Sequence, residues 1–282
     1  MIKVNAHIGF LFSEMPFLER FHAAAAAGFR AVEFPSPYEY EPTQLAEALS
    51  EHQLKMVQFA APHAGTKGTT GICTSRPQFR EQLRTAVQYA KALDCNMVHL
   101  MSGVSLPDLN VTADRECYRL NLSYAADYLL DEGITPLIEV ISATEVSGYL
   151  MADFTLAEQM LEHIPHLGLI LDTYHTELLG HDSLSKLDQC WAQIRHIQIA
   201  DFPGRHEPGT GRLDFKKLIG VLQAGNYQGW LGCEYGPLHS TSAGLAALWE
   251  VLAPPTLIGL PLVRNRFFFV ELYCVSLQNN FD

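Results

Sequence analysis

A chain of 282 residues that is 48% hydrophobic and 18% charged has enough apolar material for one large core, and enough charge to be globular rather than disordered. Its net charge of −12 and pI near 5.4 give no basic footprint for nucleic acid, although a small anion can still be held by local Arg, His or metal charge. The opening MIKVNAHIGF lacks the basic, apolar and cleavage regions of a signal peptide, and no apolar run reaches the ~18 residues of a membrane helix. These features predict a cytoplasmic protein without a membrane or nucleic-acid partner. They are compatible with a homo-oligomer. Six cysteines (Cys73, Cys95, Cys117, Cys190, Cys233, Cys274) show no C-x-x-C spacing, which reads as reduced thiols rather than a zinc site.

Strand-like runs fall at 3–11, 30–34, 54–60, 97–101, 134–140, 167–172, 194–200 and 229–234. Between them lie amphipathic stretches of helical length. PFLERFHAAAAAGF starts near Pro16 and stops at Gly28, which suits a left-handed cap. RPQFREQLRTAVQYAKALDC places Phe79, Leu83, Val87, Ala90 and Leu93 on one stripe. TADRECYRLNLSYAADYLLDEGI opens with Thr112 as its N-cap and closes near Gly133. MADFTLAEQMLEHI, SLSKLDQCWAQI, LDFKKLIGVLQAGNY and TSAGLAALWEVLA follow. Strand alternating with helix around eight strands predicts a parallel (β/α)8 barrel over residues 1–253, with a doubly wound open sheet as the competing architecture. From Pro254 to the end the chain reads as an apolar, aromatic tail (254–282), a separate segment after the eighth helix.

Four polar residues stand where buried strands run out: Glu139 after ITPLI, Asp172 after LGLIL, Gln198 after IRHI, and Glu234 after GWLGC. In a barrel, the ends of successive strands converge on the C-terminal mouth. Three carboxylates and an amide oxygen form a hard donor set, suited to Mg²⁺ or Mn²⁺. A buried carboxylate without such a partner is costly. Asp172 alone reads equally well as a cap of the following helix, and Gln198 as a satisfied amide. Such a site suits proton transfer beside a carbonyl: a divalent ion acidifies the C–H of a hydroxy-carbonyl compound, and two carboxylates, Glu139 and Glu234, move the proton through an enediolate. Around them, His175, Arg205, Glu145, His99 and His7 are candidate substrate contacts. Asn5 and Phe10 form the opposite wall. Arg205, on the loop FPGRHEPGTG, has the planar fork that clamps a carboxylate. The glycine-rich GTKGTTG has the wrong context for a phosphate loop.

From about residue 3 to residue 250, the segments VQYAKALDCNMVHLMSG, LILDTYH, HIQIADFPGRHEPGTGRLDF and NYQGWLGCEYGP resemble the hydroxypyruvate isomerase family, which includes the 2-oxo-tetronate isomerases, within the xylose-isomerase-like barrels. The pairing of GRHEPGTG with GWLGCEY is the specific part of that resemblance. It implies that Glu139 and Glu234 are the acid–base pair and also bind the metal, with Asp172 and Gln198 as the remaining ligands. Related ketose 3-epimerases carry His where Gln198 stands, so the resemblance leans to the isomerase branch. IEVIS and APHAGTKGTTGI depart from the family's usual loops after strands five and three, and the tail from Pro254 has no counterpart. The expected activity is interconversion of a small hydroxy/oxo sugar acid. A ketose 3-epimerase, a barrel endonuclease and a non-catalytic sugar-acid-binding barrel are the alternatives.

Overall fold

The computed structural model describes residues 2–63, 67–73, 76–105 and 111–252. The tail expected at 254–282, with Cys274, lies outside the described residues, as does the side chain of Thr112. The strands are β1 (Lys3–His7), β2 (Ala31–Glu33), β3 (Lys55–Met56), β4 (Phe59–Ala60), β5 (Met97–His99), β6 (Thr135–Glu139), β7 (Gly168–Asp172), β8 (Ile194–Ile199) and β9 (Trp230–Cys233). Every pairing between them is parallel, in the order β3-β2-β1-β9-β8-β7-β6-β5-β4.

The two ends of that order, β3 and β4, are consecutive in the chain and separated only by Val57 and Gln58. They are halves of the one strand expected at 54–60. The first half pairs with β2 and the second with β5, so a single staggered segment closes the eight-stranded barrel. The first strand is shorter than expected because the amides of Phe10 and Leu11 turn back to the carbonyl of His7. Residues 8–11 therefore belong to the loop at the mouth.

The helices are α1 (Glu19–Ala26), α2 (Pro42–Glu51), α3 (Arg76–Ala92), α4 (Val111–Asp131), α5 (Phe154–His163), α6 (Thr173–Leu178), α7 (Ser183–Gln189), α8 (Phe215–Ala224) and α9 (Thr241–Leu252). Sequence periodicity marks seven of these. It passes over α2, which starts on Pro42 in the first turn and buries only Leu45 and Leu49, and α6, a short turn after β7.

Local chemistry fixes the ends. α1 and α4 stop in Schellman motifs at Gly28 (φ +99°) and Gly133 (φ +73°). In each the glycine amide bonds back to Ala25 or Leu130, and the next amide bonds to Ala24 or Leu129. Asp153, Asp182 and Asp214 each accept from the amide three residues on, capping α5, α7 and α8. The apolar stripes then pack inward. Phe21 of α1 is fully buried, edge-on to Phe17 and Phe34 at 5.6 and 5.9 Å between ring centres. Among the described residues, no helix is long and apolar enough to cross a membrane, and Cys95, Cys117, Cys190 and Cys233 are free thiols.

Candidate active site

Side chains alternate along a strand, and register partners on parallel strands share a face. Asp172 pairs with Gln198, and Gln198 with Gly232, two residues before Glu234. Glu139 pairs with Ile170, two residues before Asp172. A register shift between Leu169 and Ile170 brings Asp172 level with Gln198. These relations put Glu139, Asp172, Gln198 and Glu234 on one face. His7 and Glu33, which pair with each other, join them through β1 and β9.

The four residues singled out by sequence are brought together. Glu139, Asp172 and Gln198 are buried, and Glu234 is half-buried. One oxygen of Glu139, one of Asp172 and one nitrogen of His175 lie within 4.8 Å of one another. Burial, Glu234 and Asp172 push the Glu139 carboxyl well above the usual range, with Arg205 opposing. Glu234 is likewise pushed up by burial; Arg205 acts against that and Asp172 adds to it. Three carboxylates that feel one another in a place screened from water need positive charge nearby.

Asp172 caps the following helix with one oxygen and leaves the other without a hydrogen bond. Its Oδ1 accepts from the amides of Tyr174 (2.7 Å) and His175 (3.2 Å), which starts α6. Its Oδ2 is buried and accepts no hydrogen bond, although Arg205 Nη2 lies 3.5 Å away. Gln198 Oε1 is buried without a hydrogen-bond partner as well. Buried acceptors are nearly always satisfied in proteins. Two such oxygens beside two crowded carboxyls fit a hard divalent cation, so the donor set present suits the metal expected from sequence.

Arg205 does not stand free to receive a substrate. Its guanidinium lies 4.9 Å from the Phe10 ring centre and 5.0 Å from that of Tyr174, with Nη2 2.9 Å from Glu234 Oε1. Nη1 lies 3.8 Å from Glu145, which accepts from the Tyr174 hydroxyl at 3.1 Å. Glu145 is therefore an exposed rim residue tied to the site through Tyr174 and Arg205. Asp201 builds the loop that carries Arg205. Its carboxylate accepts from the amides of Phe202, Gly209, Gly211 and Leu213 at 2.8–3.1 Å. Arg205 itself sits in the left-handed region, at φ +56°.

The three candidate histidines are all buried. His99 Nδ1 lies 3.6 Å from Glu139, and burial with neighbouring His63 and His196 lowers its pKa to about 3. His7 Nε2 lies 3.9 Å from Glu234, and burial outweighs the attraction of Glu33 to lower its pKa to about 4. His175 is lowered by burial too, and its Nδ1 accepts from the Ser142 amide at 3.4 Å. All three are neutral hydrogen-bonding groups near pH 7. Asn5 is fully buried with neither amide atom bonded, and Phe10 lies edge-on to His7 at 5.1 Å.

Sequence reasoning passed over Glu33, His196 and Tyr174. Glu33 is fully buried at the end of β2 and lies 2.6 Å from His196. The signals were present: Glu33 interrupts the apolar run AVEF much as Glu139 interrupts LIEVI, and His196 stands two residues before Gln198, on the same strand face. Tyr174 has no signal outside the fold, because only the turn of α6 points it at Arg205 and Glu145.

Known proteins share this arrangement of chain. A family model described as xylose isomerase-like TIM barrel matches residues 21–250. The 2-oxo-tetronate isomerase of Pectobacterium atrosepticum is 38% identical over 251 residues, covering 87% of this chain and 96% of the relative. The hydroxypyruvate isomerase of Escherichia coli is 33% identical over 251 residues, covering 87% and 97%. A crystal structure described as an AP endonuclease, family 2, from Brucella melitensis superposes with a TM-score of 0.83 at 36% identity, covering 89% of this chain and 99% of that one. By fold, by matched length and by identity to these relatives, the chain belongs to the xylose isomerase-like TIM barrel family, among the hydroxypyruvate and 2-oxo-tetronate isomerases.

Proposed function

We propose that the protein is an isomerase of small hydroxy/oxo sugar acids, with hydroxypyruvate or a 2-oxo-tetronate as substrate, and with Glu139 and Glu234 as its acid–base pair. One observation carries this reading. Two glutamates from β6 and the end of β9, both pushed toward the protonated form, share one buried site with two unsatisfied oxygens. A carboxyl raised toward neutrality is suited to exchange a proton with carbon, and a positioned group of this kind contributes typically ~10²–10⁴-fold. The names of the relatives at 33–38% identity support the same substrate class.

Glu139, Asp172, Gln198 and Glu234 would hold a divalent cation, Mg²⁺ or Mn²⁺, which when bound polarises a carbonyl oxygen and the neighbouring hydroxyl oxygen. The residues of the chain do the rest. One glutamate removes the proton from the hydroxyl-bearing carbon, leaving an enediolate, and a glutamate returns a proton to the adjacent carbon as the hydroxyl proton passes from the first oxygen to the second, so that the carbonyl and the hydroxyl exchange places. Neutral His7, His99 and His175 offer ring nitrogens to substrate hydroxyls without adding charge. Arg205 balances the charge of Glu234 and Asp172. Phe10 and Tyr174 hold its guanidinium and keep water from its faces.

Hydroxypyruvate and 2-oxo-tetronates offered in D₂O test the reading. Deuterium should appear at the carbon next to the carbonyl, and chelator should abolish its entry. Stabilisation by these acids without exchange would leave a binding barrel, and turnover confined to ketoses a 3-epimerase. Nicking of abasic DNA in place of isomerisation would make the chain an endonuclease, which a net charge of −12 opposes.

A further inference from the structure

Glu33 is a carboxylate at 0% exposure, outside the four residues assigned above. Burying such a group is costly unless its oxygens are engaged. Here both are. Oε2 lies 2.6 Å from His196 Nε2 and accepts from Gln58 Nε2 at 3.4 Å, while Oε1 accepts from Gln198 Nε2 at 3.2 Å. His7, Glu33 and Glu234 also bring one potential ligand atom each within 4.8 Å of the others, which would suit Glu33 as a ligand in its own right. Its committed oxygens argue for a different task.

An amide side chain can turn its oxygen or its nitrogen either way, and only the oxygen binds a cation. A carboxylate beside it accepts and cannot donate, so the atom next to Glu33 has to be the nitrogen. The oxygen then points away, and it is this Oε1 that is buried without a partner. Strands β2 and β8 are not neighbours; β1 and β9 lie between them. Glu33 reaches across because the residue beside Gln198 on β9 is Gly232. A Cβ at that position would fall on Glu33 Oε1 and come within 3.0 Å of His196 Nε2.

We propose that Glu33 is a positioning residue, locked by His196 and given room by Gly232, that fixes the amide of Gln198 with its oxygen toward the cation. The inference rests on the reading of Gln198 as a cation ligand. Groups that orient metal ligands from behind typically change affinity ~10–100-fold when removed.

The test is Mn²⁺ binding to chelator-treated protein, followed by the free-ion magnetic resonance signal, for wild type, Glu33→Ala, Gln198→Ala and the double variant. Glu33→Ala should weaken binding ~10–100-fold. The double variant should bind no more weakly than Gln198→Ala, because Glu33 acts only through that amide. Additive losses, as for a direct ligand, would overturn the proposal, as would unchanged affinity in either single variant. A wild type that binds no Mn²⁺ would overturn the metal reading of the site, and this inference with it. Should Glu33→Ala lack a cooperative melt in chelator, Glu33→Gln keeps the volume and takes its place in the cycle. It should show a smaller loss that vanishes in the Gln198→Ala background, and affinity equal to wild type would overturn the proposal.

Discussion

Glu234 combines partial exposure, a carboxyl pushed upward by burial and a hydrogen bond from Arg205, which makes it the residue where chemistry and structure separate most cleanly. Glu234→Gln removes a proton carrier and keeps the volume. Turnover should fall at least ~10²–10⁴-fold. The melting temperature should move by no more than about 4 °C, the shift expected for ~1 kcal/mol in a chain of this size. Steady-state kinetics beside a thermal melt check both, and near-normal turnover would remove Glu234 from the acid–base pair. Gly232 answers a different question. Gly232→Ala presses a methyl group onto Glu33 and should destabilise the barrel by ~1–3 kcal/mol, the cost of overpacking, measured by denaturant unfolding. Glu139, Asp172, Gln198 and Glu234 were legible in the sequence because each ends an apolar run. Glu33 gave the same signal. Its purpose did not show, because its partners are 25, 163 and 165 residues away in sequence, at Gln58, His196 and Gln198.

Among the elements, the loop after β8 decides where Arg205 stands. Four amides converge on the Asp201 carboxylate, and a Cβ at Gly211 would fall on the Phe202 carbonyl and on Asp201 itself. Asp201→Ala leaves those amides without their acceptor and frees the loop. The expected result is a raised KM and reduced turnover, with far-ultraviolet circular dichroism unchanged; kinetics indistinguishable from wild type would mean the loop is held by other contacts. Asp153→Ala is the matching control. The Asp153 carboxylate caps α5 and faces Arg115 rather than any of the site groups, so its loss should cost ~1 kcal/mol without altering kcat or KM. The sequence shows the loop as FPGRHEPGTG and the helix start as a cap residue. It does not show that one carboxylate holds the loop, because those bonds exist only once the chain has turned back on itself.

On the scale of the molecule, the barrel gathers acidic groups from β6, β7 and β9 at one mouth, and their repulsion is offset in part by Arg205. A bound divalent cation would offset the remainder and stabilise the folded state. At a cation concentration 100 times its Kd the gain is about 2.7 kcal/mol, so chelator should lower the melting temperature and abolish turnover together. Restoring Mg²⁺ or Mn²⁺ should return both, whereas a melt indifferent to the metal would argue against a resident cation.

The sequence alone determined the (β/α)8 plan, the family resemblance and the four strand-end residues, because apolar runs, helical stripes and their punctuation are local properties of the chain. Tertiary structure decided what no local pattern contains. One broken strand closes the barrel, Arg205 is spent on Glu234 and Asp172 between two aromatic rings, and Glu33 reaches Gln198 past a glycine. Register and distance across a closed sheet set these contacts, and both arise only when residues far apart in sequence come to share one buried space.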